Sequence, residues 1–158
     1  MPVTLRSYEP ADFETLHTID RACFAAGIAY SRRVLREFLT QPGADCLVAL
    51  SSDGVDGDRA GGAIAGFLIS ESEAAEGHIV TLDIVESERR RGIGTALLQG
   101  MEKRLAARGV ALVVLETATS NEAGVAFWQR HGYRSFRVIR GYYSGRQDAY
   151  QMRKILST

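Results

Sequence analysis

The chain has 158 residues, of which 46% are apolar and 24% charged, and its formal net charge is zero. That length suits one domain with a full-sized core over residues 1–158. The charge balance excludes any whole-chain attraction to nucleic acid or to an anionic membrane, so no nucleic-acid or membrane partner is expected.

In chain order, residues 3–8 alternate apolar and polar side chains and predict a strand. Glu9-Pro10-Ala11-Asp12 opens a helix running to about Cys23, and Ser31 caps a short second helix ending near Leu39. The loop between them, residues 24–30, is unusually apolar and aromatic. Residues 46–50 predict a strand, and the Ser/Asp/Gly-rich stretch 51–62 predicts a surface loop. Strands follow at 63–70 and 78–85, with Glu71, Glu73 and Glu76 in a solvated turn between them. Residues 92–108 predict a helix with Ile93, Leu97, Leu98, Met101 and Leu105 on one arc. The nearly unbroken apolar run 111–117 predicts a strand covered on both faces. Asn121 caps a helix to about His131, and residues 133–139 and 148–155 predict the last strands. The order βααβββαβαββ predicts a mixed α/β sheet flanked by helices.

Two isolated cysteines, Cys23 and Cys46, make neither a disulfide framework nor a zinc cluster, and two small buried thiols are expected. His17, His78 and His131 are scattered, each read as surface or structural, and no metal site is expected. Residues 1–10 lack the basic stretch and apolar core of a secretory signal, and no apolar run approaches bilayer-spanning length. A cytoplasmic location is expected.

The segment that carries chemistry is Arg89-Arg90-Arg91-Gly92-Ile93-Gly94-Thr95, placed between a predicted strand and an amphipathic helix. A helix start leaves its first N–H groups unpaired and concentrates partial positive charge there. Gly92 and Gly94 would let an anion approach the backbone without a Cβ in the way, and the arginines add planar donors. No Gly-Lys-Ser/Thr follows, which excludes a nucleotide P-loop. Leu97 stands where a dinucleotide fingerprint needs its third glycine.

Arg89-x-x-Gly92-x-Gly94 resembles the Arg/Gln-x-x-Gly-x-Gly/Ala signature of the GNAT superfamily of N-acetyltransferases. Leu115-Glu116-Thr117-Ala118-Thr119-Ser120-Asn121, then Ala126-Phe127-Trp128 and Gly132-Tyr133, resemble the pattern of its ribosomal-protein alanine acetyltransferases and their N-terminal acetyltransferase relatives. Arg140-Gly141-Tyr142-Tyr143 with Asp148-Ala149 resembles their ending, and Tyr30-Ser31 sits like their Trp-Ser. The likeness is continuous over residues 78–152 and looser before.

The resemblance implies a single-domain GNAT fold, a central, mostly antiparallel sheet splayed between two parallel strands. It implies acetyl-CoA as co-substrate. The strand backbone of Leu82, Asp83 and Ile84 would pair with the pantetheine arm and stabilise the carbonyl oxygen under attack. Arg90, Arg91, Gly92, Ile93, Gly94 and Thr95 would hold the pyrophosphate, and Asn121 would contact the cofactor as well as cap its helix. Tyr30, Tyr142 and Tyr143 would wall the substrate groove, with the 24–31 loop and a turn at 140–143.

Glu116 is the candidate general base. It shares a strand face with Leu112 and Val114, where partial desolvation would raise its pKa toward a useful value. An α-amine, with a reference pKa of about 8 against above 10 for lysine, needs little help losing its proton. One departure stands out. Trp128 occupies the place of a tyrosine that protonates the leaving sulfur in the family, and an indole N–H is no acid near neutral pH. The thiolate leaves unaided, or Tyr133, Tyr142 or Tyr143 supplies the phenol, or the chain is a weak or inactive enzyme. Three functions remain open: acetylation of a protein N-terminus, acetylation of a small amine, and non-catalytic acyl-CoA binding. The oligomeric state is left open.

Overall fold

A computed structural model of the chain describes residues 3–24, 28–51 and 63–156. The elements come in the predicted order. They are β1 (Thr4–Ser7), α1 (Phe13–Cys23), α2 (Arg32–Thr40), β2 (Ala44–Ser51), β3 (Ala63–Glu73), β4 (Glu76–Ile84), α3 (Ile93–Ala107), β5 (Leu112–Ala118), α4 (Glu122–Arg130), β6 (Arg134–Tyr143) and β7 (Gln147–Ile155). A 3-10 turn at Pro10–Asp12 leads into α1, where a continuous helix was expected. Ser31 caps α2 through a bond from Val34 N, as its sequence position predicts. The predicted 51–62 loop lies, beyond Ser51, outside the described residues, as do residues 25–27 of the 24–30 loop.

The strands form one seven-stranded sheet in the order β1-β2-β3-β4-β5-β7-β6. Every neighbouring pair is antiparallel except β4 and β5, which are parallel. Short connections allow the antiparallel hairpins, whereas the parallel pair needs a crossover, supplied by α3. The β3–β4 reversal is tight, with Ala74 at φ 54°. Glu71 and Glu73 are therefore strand residues, not part of a solvated turn. The β6–β7 reversal falls at residues 144–146, so Tyr142 and Tyr143 end a strand instead of forming a turn.

The sheet carries apolar clusters on both faces. Leu97, Leu98, Met101 and Leu105 of α3, the predicted arc, pack with Leu68, Val113, Leu115 and Met152. Phe13, Leu16 and Ile19 of α1 and Leu35 of α2 pack with Val48, Leu50, Phe67 and Ile69. Strands β2 and β3 are thus buried on both sides, while β5 is not. Val113, Leu115 and Thr117 are buried and alternate with half-buried Leu112, Val114, Glu116 and Ala118. The apolar run over-predicted its burial because α1 and α2 lie over β2, β3 and β4 on that side, leaving β5 without a helix cover.

The β4–β5 pairing lasts for three residue pairs, Glu76↔Leu112, Gly77↔Val113 and His78↔Val114. Beyond His78 and Val114 the two strands part and leave a cleft between them. Among the described residues no helix is long and apolar enough to cross a membrane.

Leu97 is fully buried in the α3 cluster that holds this crossover on the sheet. Leu97→Ala should lower stability by about 2–5 kcal/mol, read as a lower urea midpoint with an unchanged denaturant slope.

Candidate active site

The gap between the diverging ends of β4 and β5 is a cavity of about 560 Å³. Its walls are β4 residues Ile79–Leu82 and Ile84, β5 residues Leu115–Ala118, the start of α4 and Tyr143 at the end of β6. Cys23, Phe24, Ile28 and Tyr30 close one side. Of the sequence-predicted site residues, Tyr30, Leu82, Ile84, Gly94, Glu116, Asn121 and Tyr143 line this cavity.

The strand backbone divides its duties by alternation. The Ile84 carbonyl faces the gap, where it accepts from Cys23 Sγ at 3.3 Å and Arg89 Nε at 3.2 Å. The period of two puts the Leu82 amide and carbonyl on the same side and turns the Asp83 backbone toward β3. The Val80 carbonyl accepts from the Tyr30 hydroxyl at 3.4 Å. Leu82 is therefore the residue whose backbone offers both a donor and an acceptor to an amide-bearing ligand. Asp83 is not brought to the cavity. Its side chain is buried with Asp20 of α1 and accepts from Thr81 Oγ1 at 2.5 Å.

The start of α3 sits at the rim. Arg90 (φ 65°) and Gly92 (φ 80°) are both left-handed, a turn that aims successive N–H groups outward. The first bond into the helix is Ala96 N to Gly92 O at 3.0 Å, so Ile93, Gly94 and Thr95 have no intrahelical acceptor. The glycines differ from expectation. A Cβ on Gly92 would meet nothing within 4 Å, so that position needs glycine for its φ. A Cβ on Gly94 would lie 3.3 Å from the Phe127 ring, so that glycine also lets α4 pack against α3. Arg91 pairs with Glu88 at 3.6 Å, and Thr95 Oγ1 bonds His131 Nε2 at 3.0 Å. Asn121 Oδ1 accepts from Gly124 N at 3.1 Å, the predicted cap.

Glu116 lies at the inner end of the cleft, its side chain 9% exposed. His78 Nε2 is 2.6 Å from Glu116 Oε1, and Gln151 Nε2 donates to Oε2 at 2.8 Å. The Tyr142 hydroxyl adds a 3.3 Å bond to Oε1. Burial pushes the Glu116 pKa up, but the bonds from His78, Gln151 and Tyr142 and the His78 charge outweigh it and hold the carboxyl below its ordinary value. The sequence argument had the opposite sign because it saw desolvation and not the donors. His78, read from the sequence as surface or structural, is the residue the structure adds to the surroundings of Glu116. Burial lowers its pKa, yet Glu116 on one ring nitrogen and Glu71 on the other raise it overall. Its signal was positional: it is the third residue of β4, directly opposite Glu71 and diagonal to Glu116.

The tyrosines separate as well. Tyr133 is buried with its hydroxyl on Glu102 at 2.7 Å, away from the cavity. Burial first, then Glu116, pushes the Tyr143 phenol up to about 12. Trp128 packs edge-on against Tyr133 in the α3 core cluster and shows one side to the cavity. Both cysteines are free, but Cys23 lines the cavity and is only half-buried. Among the described residues no group of three or more His, Cys, Asp or Glu is placed to hold a metal ion.

A parted parallel strand pair, a helix N-terminus at its rim and a carboxylate within it define an acyl-CoA-using acetyltransferase architecture. The profile of the acetyltransferase (GNAT) family matches residues 13–133, and the chain belongs to that family. It is an acetyl-CoA-dependent acetyltransferase. An N-alpha-acetyltransferase of Sulfurisphaera tokodaii is 37% identical over 78 residues, 49% of this chain and 47% of its own length. The N-alpha-acetyltransferase of Saccharolobus solfataricus is 27% identical over 157 residues, 97% of this chain and 93% of its own. In fold, the chain resembles the ribosomal-protein-S18-alanine N-acetyltransferase of Escherichia coli, with TM-score 0.83 and 24% identity over 99% of this chain and 96% of that one. The fold expected from the sequence is therefore observed, and the reading as a non-catalytic module is set aside.

The buried Asp83 carboxyl gives a test of this region. Burial first, then Asp20, raises its pKa well above the ordinary value. Unfolded chains release that proton near pH 4, so the stability tied to it is present below about pH 4 and is lost as pH rises toward the folded value. Asp83→Asn removes this dependence. Thermal melts should show a higher midpoint than the parent at neutral and alkaline pH, with the difference vanishing in acid.

Proposed function

We propose that the protein acetylates the N-terminal α-amine of protein chains, with Glu116 and His78 together taking the amine's proton. The observation that carries this is the Glu116 carboxylate within the cleft, bonded from behind by His78 and facing a space walled by Tyr30 and Tyr143. The similarity to N-alpha-acetyltransferases supports an α-amine over a small-molecule substrate. So does the depth of the carboxylate between aromatic walls, which suits an extended chain end.

The residues fit acetyl-CoA. The unpaired Leu82 backbone edge matches the amide-rich pantetheine arm, and the left-handed turn before α3 with its free N–H groups matches a pyrophosphate. Acetyl-CoA supplies an activated acyl group. The Leu82 N–H is the donor this chain can aim at the acyl oxygen as charge develops there, Asn121 borders the arm, and Arg90 to Thr95 cradle the phosphates.

The amine nitrogen attacks the thioester carbonyl carbon, the C–S bond breaks and the nitrogen loses one proton. That nitrogen becomes strongly acidic once the new C–N bond forms, so a carboxylate of low pKa suffices to receive the proton. Glu116 passes it to neutral His78, which gains an N–H bond and becomes imidazolium between two carboxylates. The thiolate, with a free pKa of about 8.5, departs without an acid. Trp128 cannot serve as one, Tyr133 is committed to Glu102 and Tyr142 to Glu116, and Tyr143 holds its proton too tightly.

An acetyl-CoA assay on peptides varied in their first residues, with mass spectrometry locating the acetyl group, should find it on the α-amine. Acetyl found only on internal lysines or small amines overturns the substrate assignment. Glu116→Gln should lower kcat about 100-fold or more while leaving the acetyl-CoA dissociation constant unchanged. In the parent, kcat should rise with pH through a midpoint above the ordinary histidine value, because His78 must be neutral to accept. His78→Gln should remove that limb.

A further inference from the structure

Glu71 has no part in the chemistry so far, yet it is built onto it. It is the direct cross-strand partner of His78 in the β3–β4 ladder. Its Oε1 lies 3.2 Å from His78 Nδ1, the nitrogen opposite the one that meets Glu116. Its other carboxylate oxygen accepts from the Gln41 side-chain amide ahead of β2. The pair borders a second cavity of about 340 Å³, outside the acyl cleft, lined by Gln41, Glu71, Glu73, Glu76 and His78 among others. The imidazole thus lines the outer cavity with a carboxylate on each ring nitrogen, and one of these, Glu116, lines the acyl cleft.

We infer that Glu71 is a positioning residue for the acetyl transfer, fixing the ring of His78 and setting its proton affinity. The inference rests on the reading of His78 and Glu116 as the proton-accepting pair. A neutral imidazole carries one N–H and one lone pair. For Nε2 to accept from Glu116, the N–H must be on Nδ1, and Glu71 is the acceptor that holds it there. When Nε2 takes the substrate proton, Glu71 faces the resulting cation. This is the arrangement by which a carboxylate orients a catalytic histidine without itself taking the proton. No proton is consumed: one N–H bond breaks on the amine, one forms on Nε2, and it returns to solvent through Glu116 once the product leaves.

The groups that face His78 are Glu71 from β3 and Glu116 from β5. Behind Glu116 stand Tyr142 of β6 and Gln151 of β7, both donating to it, and Glu73 and Glu76 share the outer cavity. Apart from Glu116 itself, which acts on His78 most strongly, the largest change on removing one charge from this set is expected when it is Glu71, which touches Nδ1.

The test is the pH profile of kcat for Glu71→Gln, Glu71→Asp and His78→Gln with a saturating peptide and acetyl-CoA. Glu71→Gln keeps an acceptor but loses the charge. Its midpoint should move about one pH unit lower and its plateau kcat should fall at least several-fold, with both KM values unchanged. Glu71→Asp should restore the parental midpoint. If Glu71→Gln keeps the parental midpoint and plateau while His78→Gln loses its limb, the inference about Glu71 is wrong and the proton-accepting pair stands. If His78→Gln behaves as the parent, the pair itself is wrong and Glu71 falls with it.

Discussion

Everything functional in this fold depends on a parallel strand pairing that stops early. β4 and β5 share three residue pairs and then part, while β3 stays on one side and β7 on the other. A strand edge left without a neighbour exposes hydrogen-bonding groups that must be satisfied. Tyr30, Cys23 and Arg89 take up the Val80 and Ile84 carbonyls, and Leu82 between them is left for a ligand. The same parting lets α4 approach the start of α3, and Phe127 against Gly94 fixes how near the helix N-terminus sits to the open edge. The open cleft and the helix N-terminus at its rim are one consequence of one topological choice.

At the apex of the divergence a row of polar side chains crosses the sheet on one face. Glu71 of β3, His78 of β4, Glu116 of β5, Gln151 of β7 and Arg137 of β6 bond in succession. Arg137 donates to Gln151 Oε1 at 2.6 Å, which settles that the amide's nitrogen is the end that meets Glu116. The row replaces the helix cover that β5 lacks, and it explains how a carboxylate 9% exposed remains charged. Buried polar groups are tolerable when each has its partner.

The likeness of the motifs made the turn before α3, the place of Glu116 in the cleft, the Asn121 cap and the order of elements legible in the sequence, because each is a local pattern. What escaped was what depends on strand pairing. His78 is 38 residues from Glu116, and no spacing rule joins them. Their proximity arises because His78 is the last β4 residue to pair with β5, so a residue two further along β5 lies diagonal to it. The sign of the Glu116 shift failed for the same reason, since its donors come from three other strands. Gly94 read as making room for an anion because the sequence does not show that Phe127 lies against it. Asp83, adjacent to two cavity residues, was grouped with them, but strand alternation turns it inward.

The electrostatics of the His78–Glu116 pair also favour the choice of amine. A carboxyl whose folded pKa is lowered contributes stability above its unfolded value and loses it as pH falls through the folded one. A histidine whose folded pKa is raised contributes below its unfolded value and loses it as pH rises through the folded one. The charged pair is therefore most favourable from the weakly acidic to the neutral range, and there His78 already holds the proton it would need to accept. Turnover requires the next step of titration, above the ordinary histidine value. An α-amine, with a reference pKa of about 8, becomes neutral over the same interval, whereas a lysine amine remains almost wholly protonated. On the proposed reading of His78 and Glu116 as the base, a site that becomes available only as the α-amine does would discriminate against lysine by protonation state as well as by shape.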